Sequence, residues 1–435
     1  MLKMRKVKDS GIEWIGEIPE GWEITRLKYL ADFEPACDTS YLTDESKITY
    51  TPMECVKNGG FENRSALYGN LSHTLTPFQN GDIAMAKVTP CFENGNIAIM
   101  DNLFSGFGLG SSELFIFRPK SISTRYFFYW LQNKAFVARA CSTMTGTGGL
   151  KRISPSFIRN CPVHCPSTDE QTKISDYLDA KCSKIDDLLT SVHASIEEYK
   201  KLKQAVITQA VTKGVRGERE MKDSGVEWAG LVPHHWGVAK IGSIGQTSSG
   251  ATPLRSKESS FFDDATIRWV RTLDLNDGFV YDSSEKITEL ALASSACSIM
   301  PKGTVCVAMY GGAGTIGKCG LLMSDCATNQ AVCSIVCNRE IVSPIFLLMQ
   351  LLALKSYWMK YAVGTRKDPN ISQDVVARMK ILIPPLDEQK EITDYLDAKC
   401  AEIDKLIAKK EQLVKELEIY KKSLIYEVVT GKREV

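Results

Sequence analysis

The chain has 435 residues, enough for two or three domains with real hydrophobic cores. Its 44% hydrophobic and 24% charged residues are ordinary for a globular protein and exclude a disordered, collagen-like or low-complexity chain. Lys+Arg 53 against Asp+Glu 52 leaves a formal charge of +1, so contact with a polyanion must come from a local patch or from partner subunits, not from bulk charge.

The longest apolar stretches, around Tyr126 to Leu131 and Ile345 to Leu354, are far shorter than the roughly 20 residues that cross a bilayer. The charged start MLKMRKVKDSG leads into no apolar run, so it does not read as a secretory signal. A cytoplasmic location is expected, with no membrane contact. The fourteen cysteines, among them Cys182, Cys306, Cys333 and Cys337, lie in apolar strand-like or helical contexts and are expected to be free thiols.

Residues 1–165 read as a first domain. The block KDSGIEW begins at Lys8 and is followed by Pro19 and Trp22. PFQNGDIAMAKVTPCFENGNIAI, residues 77–99, predicts a strand, a Gly/Asn-rich loop and a second strand. A helix with an aromatic face over about 124–140, a polar loop at 142–152 and a last strand complete the domain.

After Pro166, Ser167 and Glu170 have capping-box spacing, and a helix is predicted to run to about Thr212, stopped by Gly214 and Gly217. Residues 166–217 thus hold a spacer helix of roughly 44 residues, about 66 Å at 1.5 Å per residue. Leu178, Ile185, Val192, Tyr199 and Val206 recur at sevens, as do Cys182, Leu189, Ile196 and Ala210, with Lys203 interrupting the second row. This is the pattern of a coiled-coil seam.

Residues 218–383 then repeat the plan. KDSGVEW begins at Lys222, 214 residues after its first copy, and Pro233 and Trp236 follow it. MPKGTVCVAMYGGAGTIGKCGLL, residues 300–322, again predicts strand, loop and strand, ahead of a helix over about 343–361 and a polar loop at 363–370. A second spacer helix occupies 384–435. IPPLDEQKEITDYLDAKCAEIDKLI at 383–407 matches CPSTDEQTKISDYLDAKCSKIDDLL at 165–189, an offset of 218. Its seam rows are Leu396, Ile403, Leu417 and Leu424, and Cys400, Ile407, Val414 and Val428, with Lys421 where the first helix has Lys203. A period this long marks a duplicated domain pair, since solenoid units run to about 20–50 residues.

Such seams serve either a homodimer or pairing within one chain. Antiparallel pairing within the chain gives a pseudo-twofold molecule: two α/β (α+β) domains with substantial antiparallel sheet, separated by two long helices pairing as a coiled coil.

Several motifs are set aside. Gly312, Gly314 and Gly317 match G-x-G-x-x-G, and Gly312 to Lys318 match most of a P-loop, but Cys319 stands where Ser or Thr would bind magnesium and CGLLMSD reads as a strand. Cys161, His164 and Cys165 are replaced in the repeat by Met379, Leu382 and Ile383, which favours a buried strand over a zinc site. Glu388 and Lys390 have nuclease-like spacing, yet they fall in the first turn of what reads as a surface helix, where helix-terminal charge explains them. IPPL (383–386) and DPNI (368–371) do not fit the adenine-methyltransferase quartet, and the scattered His73, His164, His193, His234 and His235 suggest no nucleophile, base and orienter set. No catalytic residue and no metal site is read.

The repeated DEQ-x-x-I-x-x-(Y)LD-x-K helix entry at 169–181 and 387–399 and the twice-used SG-x-EW…P-x-x-W entry resemble the specificity (S) subunits of type I restriction–modification systems. The resemblance covers essentially the whole chain. TPMECV (51–56), AKVTPCFENGN (86–96) and GFGLGSSELFIFRP (106–119) resemble one recurrent target-recognition domain, and SSGATP (248–253), WVRTLDL (269–275), GTIGK (314–318) and ATNQA (327–331) another. The resemblance implies a non-catalytic reader of double-stranded DNA with target-recognition domains at 1–165 and 218–383. It implies assembly with two methyltransferase subunits, and with restriction subunits for cleavage. No cofactor is then expected on this chain; S-adenosylmethionine, ATP and Mg would sit on the partners. Leu178, Ile185, Leu189, Val192, Ile196, Leu396, Ile403, Ile407, Val414 and Leu417 would form the coiled coil that docks them.

Bases are read mainly in the major groove by loops carrying Arg, Lys, Asn or Gln, while phosphate contacts hold register. The DNA-binding candidates in the first domain are Lys87, Thr89, Glu93 and Asn94 on the Gly-rich hairpin, with Lys151 and Arg152 in the polar loop. In the second they are Arg255, Lys257, Arg271, Tyr310, Arg366 and Lys367. The competing readings are a stand-alone coiled-coil regulatory or architectural DNA-binding protein, and an NTPase using the Gly312 loop.

Overall fold

The computed structural model describes residues 6–72, 74–146, 149–311, 314–363 and 369–435, without the side chains of Lys257 and Glu258. It divides into two units, one built from residues 1–193 and 412–435, the other from 194–411.

In the first unit, one sheet has the strand order Ile97–Met100, Asp82–Ala86, Leu114–Pro119, Ala31–Phe33, all antiparallel. The predicted hairpin supplies its edge strand and the strand next to it, with Asp82 opposite Met100 and Met85 opposite Ile97. Asp82–Ala86 is buried throughout. Its one carboxylate is satisfied by Arg118, whose Nε and Nη2 donate at 2.8 Å, as a buried charge requires. The second sheet has the order Arg64–Leu67, Lys47–Thr51, Phe107–Gly110, Thr76–Gln79, with the middle pair parallel.

The aromatic helix expected over 124–140 is two helices, Thr124–Trp130 and Lys134–Ser142. Asn133 makes the break: its Oδ1 accepts from Phe136 N at 2.9 Å and caps the second helix. The strand Pro162–Cys165 closes the unit against Glu23–Arg26.

The second unit repeats this plan. Gly245–Ser249, Val332–Cys337, Val305–Ala308 and Cys319–Leu322 match the first sheet, and Gly278–Val280 adds a fifth, parallel strand. Glu285–Ile287, Ile267–Val270, Cys326–Thr328 and Ile299–Met300 match the second sheet, again with the middle pair parallel. The helix expected over 343–361 is Pro344–Ala353 followed by a 3-10 turn, Lys355–Lys360. Cys319–Leu322 is a buried strand, as the sequence predicts, so no helix follows the Gly-rich loop.

The two long helices are Thr168–Lys213 and Leu386–Val429. Each unit holds a segment of both. In the first, Leu178, Cys182 and Ile185 share a core with Leu424, Ile425, Val428 and Val429. Strand residue His164 meets Val429, while further along the first helix Asp186 meets Lys421, so the segments run antiparallel. In the second, Ile207, Ala210 and Val211 share a core with Ile392, Leu396 and Cys400. There Arg216 meets Glu388 and Lys203 meets Asp404, again antiparallel. Of the seam residues, Leu178, Ile185, Val192, Ile196, Leu396, Ile403 and Val414 are buried, and Leu189, Ile407 and Leu417 half-buried.

Both helices end on a glycine in the left-handed region, Gly214 at φ +74° and Gly431 at φ +72°. A Cβ on Gly431 would lie 2.4 Å from Pro19 Cγ, so only glycine allows that turn to seat on the P-x-x-W entry.

Candidate nucleic-acid interface

Each unit is fastened to the start of its own long helix by the same side chains. In the first, Trp22 Nε1 donates to Glu170 Oε2 at 2.9 Å; in the second, Trp236 Nε1 donates to Glu388 Oε2 at 3.1 Å. Gln171 accepts from Ser123 N at 2.8 Å and donates to the Pro166 carbonyl at 2.9 Å. Gln389 does the same with Ser343 N and the Pro384 carbonyl, at 2.8 and 2.9 Å. The Glu and Gln of the DEQ block and the Trp of the P-x-x-W block are therefore one anchor, formed twice.

The expectation of Glu388 as surface charge is corrected here, because the side chain is buried, with 3% of the residue exposed. Burial alone would push its carboxyl up, but donors from His235, Arg219 and Trp236 outweigh that and hold it below the usual carboxylate range. The Lys390 side of the nuclease spacing has no counterpart in this network.

His164 lies in the Pro162–Cys165 strand, stacked on Trp22 with ring centroids 5.5 Å apart. Its Nε2 lies 2.6 Å from the Val429 carbonyl, so Nε2 carries the proton. Burial pushes this imidazole down to about 4, against the pull of that hydrogen bond. This is a buried strand, as the comparison with Leu382 predicts. Among the described residues no group of His, Cys, Asp and Glu is placed to hold a metal ion.

The first unit brings its six DNA-binding candidates together. Val88 bridges Arg152, Thr89 N donates to the Lys151 carbonyl at 2.9 Å, and Ile153 N donates to the Lys87 carbonyl at 3.0 Å. The two loops are thus one surface. Buried Phe92 roots the hairpin tip and leaves Glu93 and Asn94 exposed. The Thr89 hydroxyl is buried, donating to the Gly149 carbonyl and accepting from Lys151 N, both at 2.9 Å, so it stitches the loops. Lys151 is exposed, while Lys87 is half-buried with its Nζ 5.5 Å from the Phe115 ring centre. Arg152 pairs with Glu113 at 2.7 Å, and the guanidinium holds the Glu113 carboxyl below its usual range.

In the second unit Arg255 and Arg271 converge on Glu285, at 2.6 Å each. Tyr310 is exposed and its backbone bridges Asn370. Arg366, Lys367 and the Lys257 side chain lie outside the described residues. Sequence reading passed over both carboxylates, although Glu113 lies within the 106–119 stretch, because only the fold brings Glu113 and Glu285 to the arginines.

The family profile described as the type I restriction modification DNA specificity domain matches residues 19–198 and again 233–416. The chain belongs to this family. Each match opens at the proline of a P-x-x-W entry and includes one complete Trp, Glu and Gln anchor. The chain is 34% identical over 196 residues to the type I restriction enzyme EcoAI specificity subunit of Escherichia coli, covering 44% of this chain and 33% of that one. It thus spans about a third of the length of that relative. Against the type I restriction enzyme MjaVIII specificity subunit of Methanocaldococcus jannaschii it is 24% identical over 437 residues, covering 96% and 94% of the two chains. A chain solved in a study of complex assembly and conformational transition of the type I R-M system superposes with a TM-score of 0.72 at 15% identity, covering 96% of this chain and 99% of that one. The specificity-domain family and its fold are therefore those expected from the sequence. No helix among the described residues is long and apolar enough to cross a membrane.

Proposed function

We propose that this member of the type I specificity family is the DNA-reading subunit of a restriction–modification complex, and that each unit reads one half of a bipartite, asymmetric site in double-stranded DNA. The observation that carries the reading is repetition with variation. The two units share strand order and the Trp, Glu and Gln anchor, yet their loops present different side chains: Glu93, Asn94 and Lys151 in one, Arg255, Arg271 and Tyr310 in the other. A constant frame with variable rims suits recognition of two unlike sequences through groove edges, with phosphate contacts setting register.

In this reading the long helices pair as a coiled coil that fixes the gap and docks two methyltransferase subunits, with restriction subunits added for cleavage. This chain performs no chemistry itself; S-adenosylmethionine, ATP and Mg belong to the partners. No observation favours the stand-alone architectural protein.

The test is exchange of residues 24–163 for the corresponding segment of another specificity subunit, followed by methylation mapping of cells carrying the hybrid and the original methyltransferase. One half of the methylated motif should change while the other half and the gap stay. A change in both halves together would refute two independent readers.

A further inference from the structure

The second unit carries a charged cluster that neither its core nor its anchor uses. Glu285 opens an edge strand directly opposite Trp269. Arg255 Nη2 donates to Glu285 Oε2 and Arg271 Nη1 to Glu285 Oε1, each at 2.6 Å, while Arg271 Nη2 donates to Ser284 Oγ at 2.8 Å. Both guanidiniums lie over the Trp269 ring, at 5.6 and 5.9 Å, and Arg255 lies 4.4 Å from the Phe262 ring centre. Trp269 is buried, so it is a fixed wall.

Two cations share one carboxylate. Arg271 is the more enclosed, with 25% of its side chain exposed against 46% for Arg255, and its Nε is buried without a partner. An ion pair as open as Arg255–Glu285 adds little to stability, so folding alone does not account for Arg255 being held there. A guanidinium held flat on an aromatic ring loses less freedom when its fork meets a planar acceptor pair.

The first unit uses the same place differently. On its matching sheet Tyr50 stands opposite Arg64, and Arg64 donates twice to Glu62 at 2.8 Å. The aromatic residue and the facing charged position recur, but the charge at that position is reversed. This is how a variable reading position on a constant frame would differ between units.

We propose, resting on the reading above, that Arg255 reads a guanine in the half-site served by the second unit, and that Glu285 and Arg271 are its positioning residues. The Arg fork matches guanine O6 and N7, a contact whose loss lowers discrimination roughly 5–150-fold.

The experiment is long-read methylation mapping of cells carrying the full chain with its methyltransferase subunits. If the unsubstituted chain directs no bipartite motif, the DNA-reading function itself fails. Given such a motif, Arg255→Ala should leave one half-site and the gap intact and make one guanine position of the other half degenerate. Glu285→Gln should relax the same position while raising non-specific duplex affinity at low salt, because it removes a negative charge. A residue serving only the fold would not move these two readouts in opposite senses. Arg255→Lys, which keeps the charge and most of the stem, repeats the test if the alanine variant melts early, and should relax the same guanine. An unchanged motif in the Arg255 variants, or relaxation at different positions in the Arg255 and Glu285 variants, overturns the proposal.

Discussion

Lys421 Nζ donates to both carboxylate oxygens of Asp186, at 2.7 and 2.8 Å, and in the other unit Lys203 Nζ grips Asp404 the same way, at 2.7 Å twice. The two lysines occupy positions where the heptads of the sequence call for apolar residues, the place where a polar residue commonly sets register in a paired-helix seam. Lys421 is mostly enclosed, with 15% of its side chain exposed, while Asp186 is open to water, which moderates the energy.

Lys421→Ala is expected to lower unfolding free energy by about 1 kcal/mol. The exchanged pair Lys421→Asp with Asp186→Lys should recover part of what Lys421→Asp alone loses. A double-mutant cycle in denaturant measures the coupling, and a coupling near zero would mean that the pair is incidental.

Glu388→Ala should cost roughly 3–5 kcal/mol, because it strands the Arg219 guanidinium and the Trp236 indole in a closed site. Glu170→Ala should cost less, since Glu170 is only half-buried. Calorimetry of the full chain should show the transition of residues 194–411 moving most in the Glu388 variant.

His164 sets a pH dependence whose sign follows from its burial. Its folded value, about 4, lies below the ordinary imidazole value of 6.5, so between these limits the unfolded chain binds more protons than the folded one. Its contribution is complete above about pH 6.5 and is lost as pH falls toward 4, with a slope of at most about 1.4 kcal/mol per pH unit. His164→Leu, which places the second unit's Leu382 equivalent there, should flatten melting temperature against pH in that window. The same slope in the variant would place the acid sensitivity elsewhere.

Replacing Ile185 and Leu189 by Asp puts charge into the first unit's core beside Leu424 and Ile425, at several kcal/mol. Size-exclusion chromatography should show the complex with methyltransferase lost. An intact complex after both changes would place docking away from this seam.

The duplicated plan was legible because 218-residue spacing and heptad rows survive in a single chain without any alignment. The break at Asn133 was overlooked because the apolar run on either side masks a local cap, although Gln-Asn-Lys is the kind of signal that marks one. Glu388 was misread for a different reason: first-turn acids are common on exposed helices, and its burial depends on Arg219, His235 and Trp236, more than 150 residues away in the chain. The loop candidates were found by residue type, but whether an arginine is engaged by Glu113 or Glu285 is a property of the assembled sheet edge.

The first unit's core includes Leu424, Ile425, Val428 and Val429 alongside Leu178 and Ile185, while the second unit is drawn from residues 194–411 alone. During synthesis the usual order of completion is therefore reversed. The later unit has all its parts before residue 412 is added, whereas the earlier one waits, with Trp22 and the aromatic helix lacking their cover, until the second long helix has cleared the ribosome. A chain truncated after residue 411 should therefore hold a protease-resistant second unit and a first unit open to cleavage.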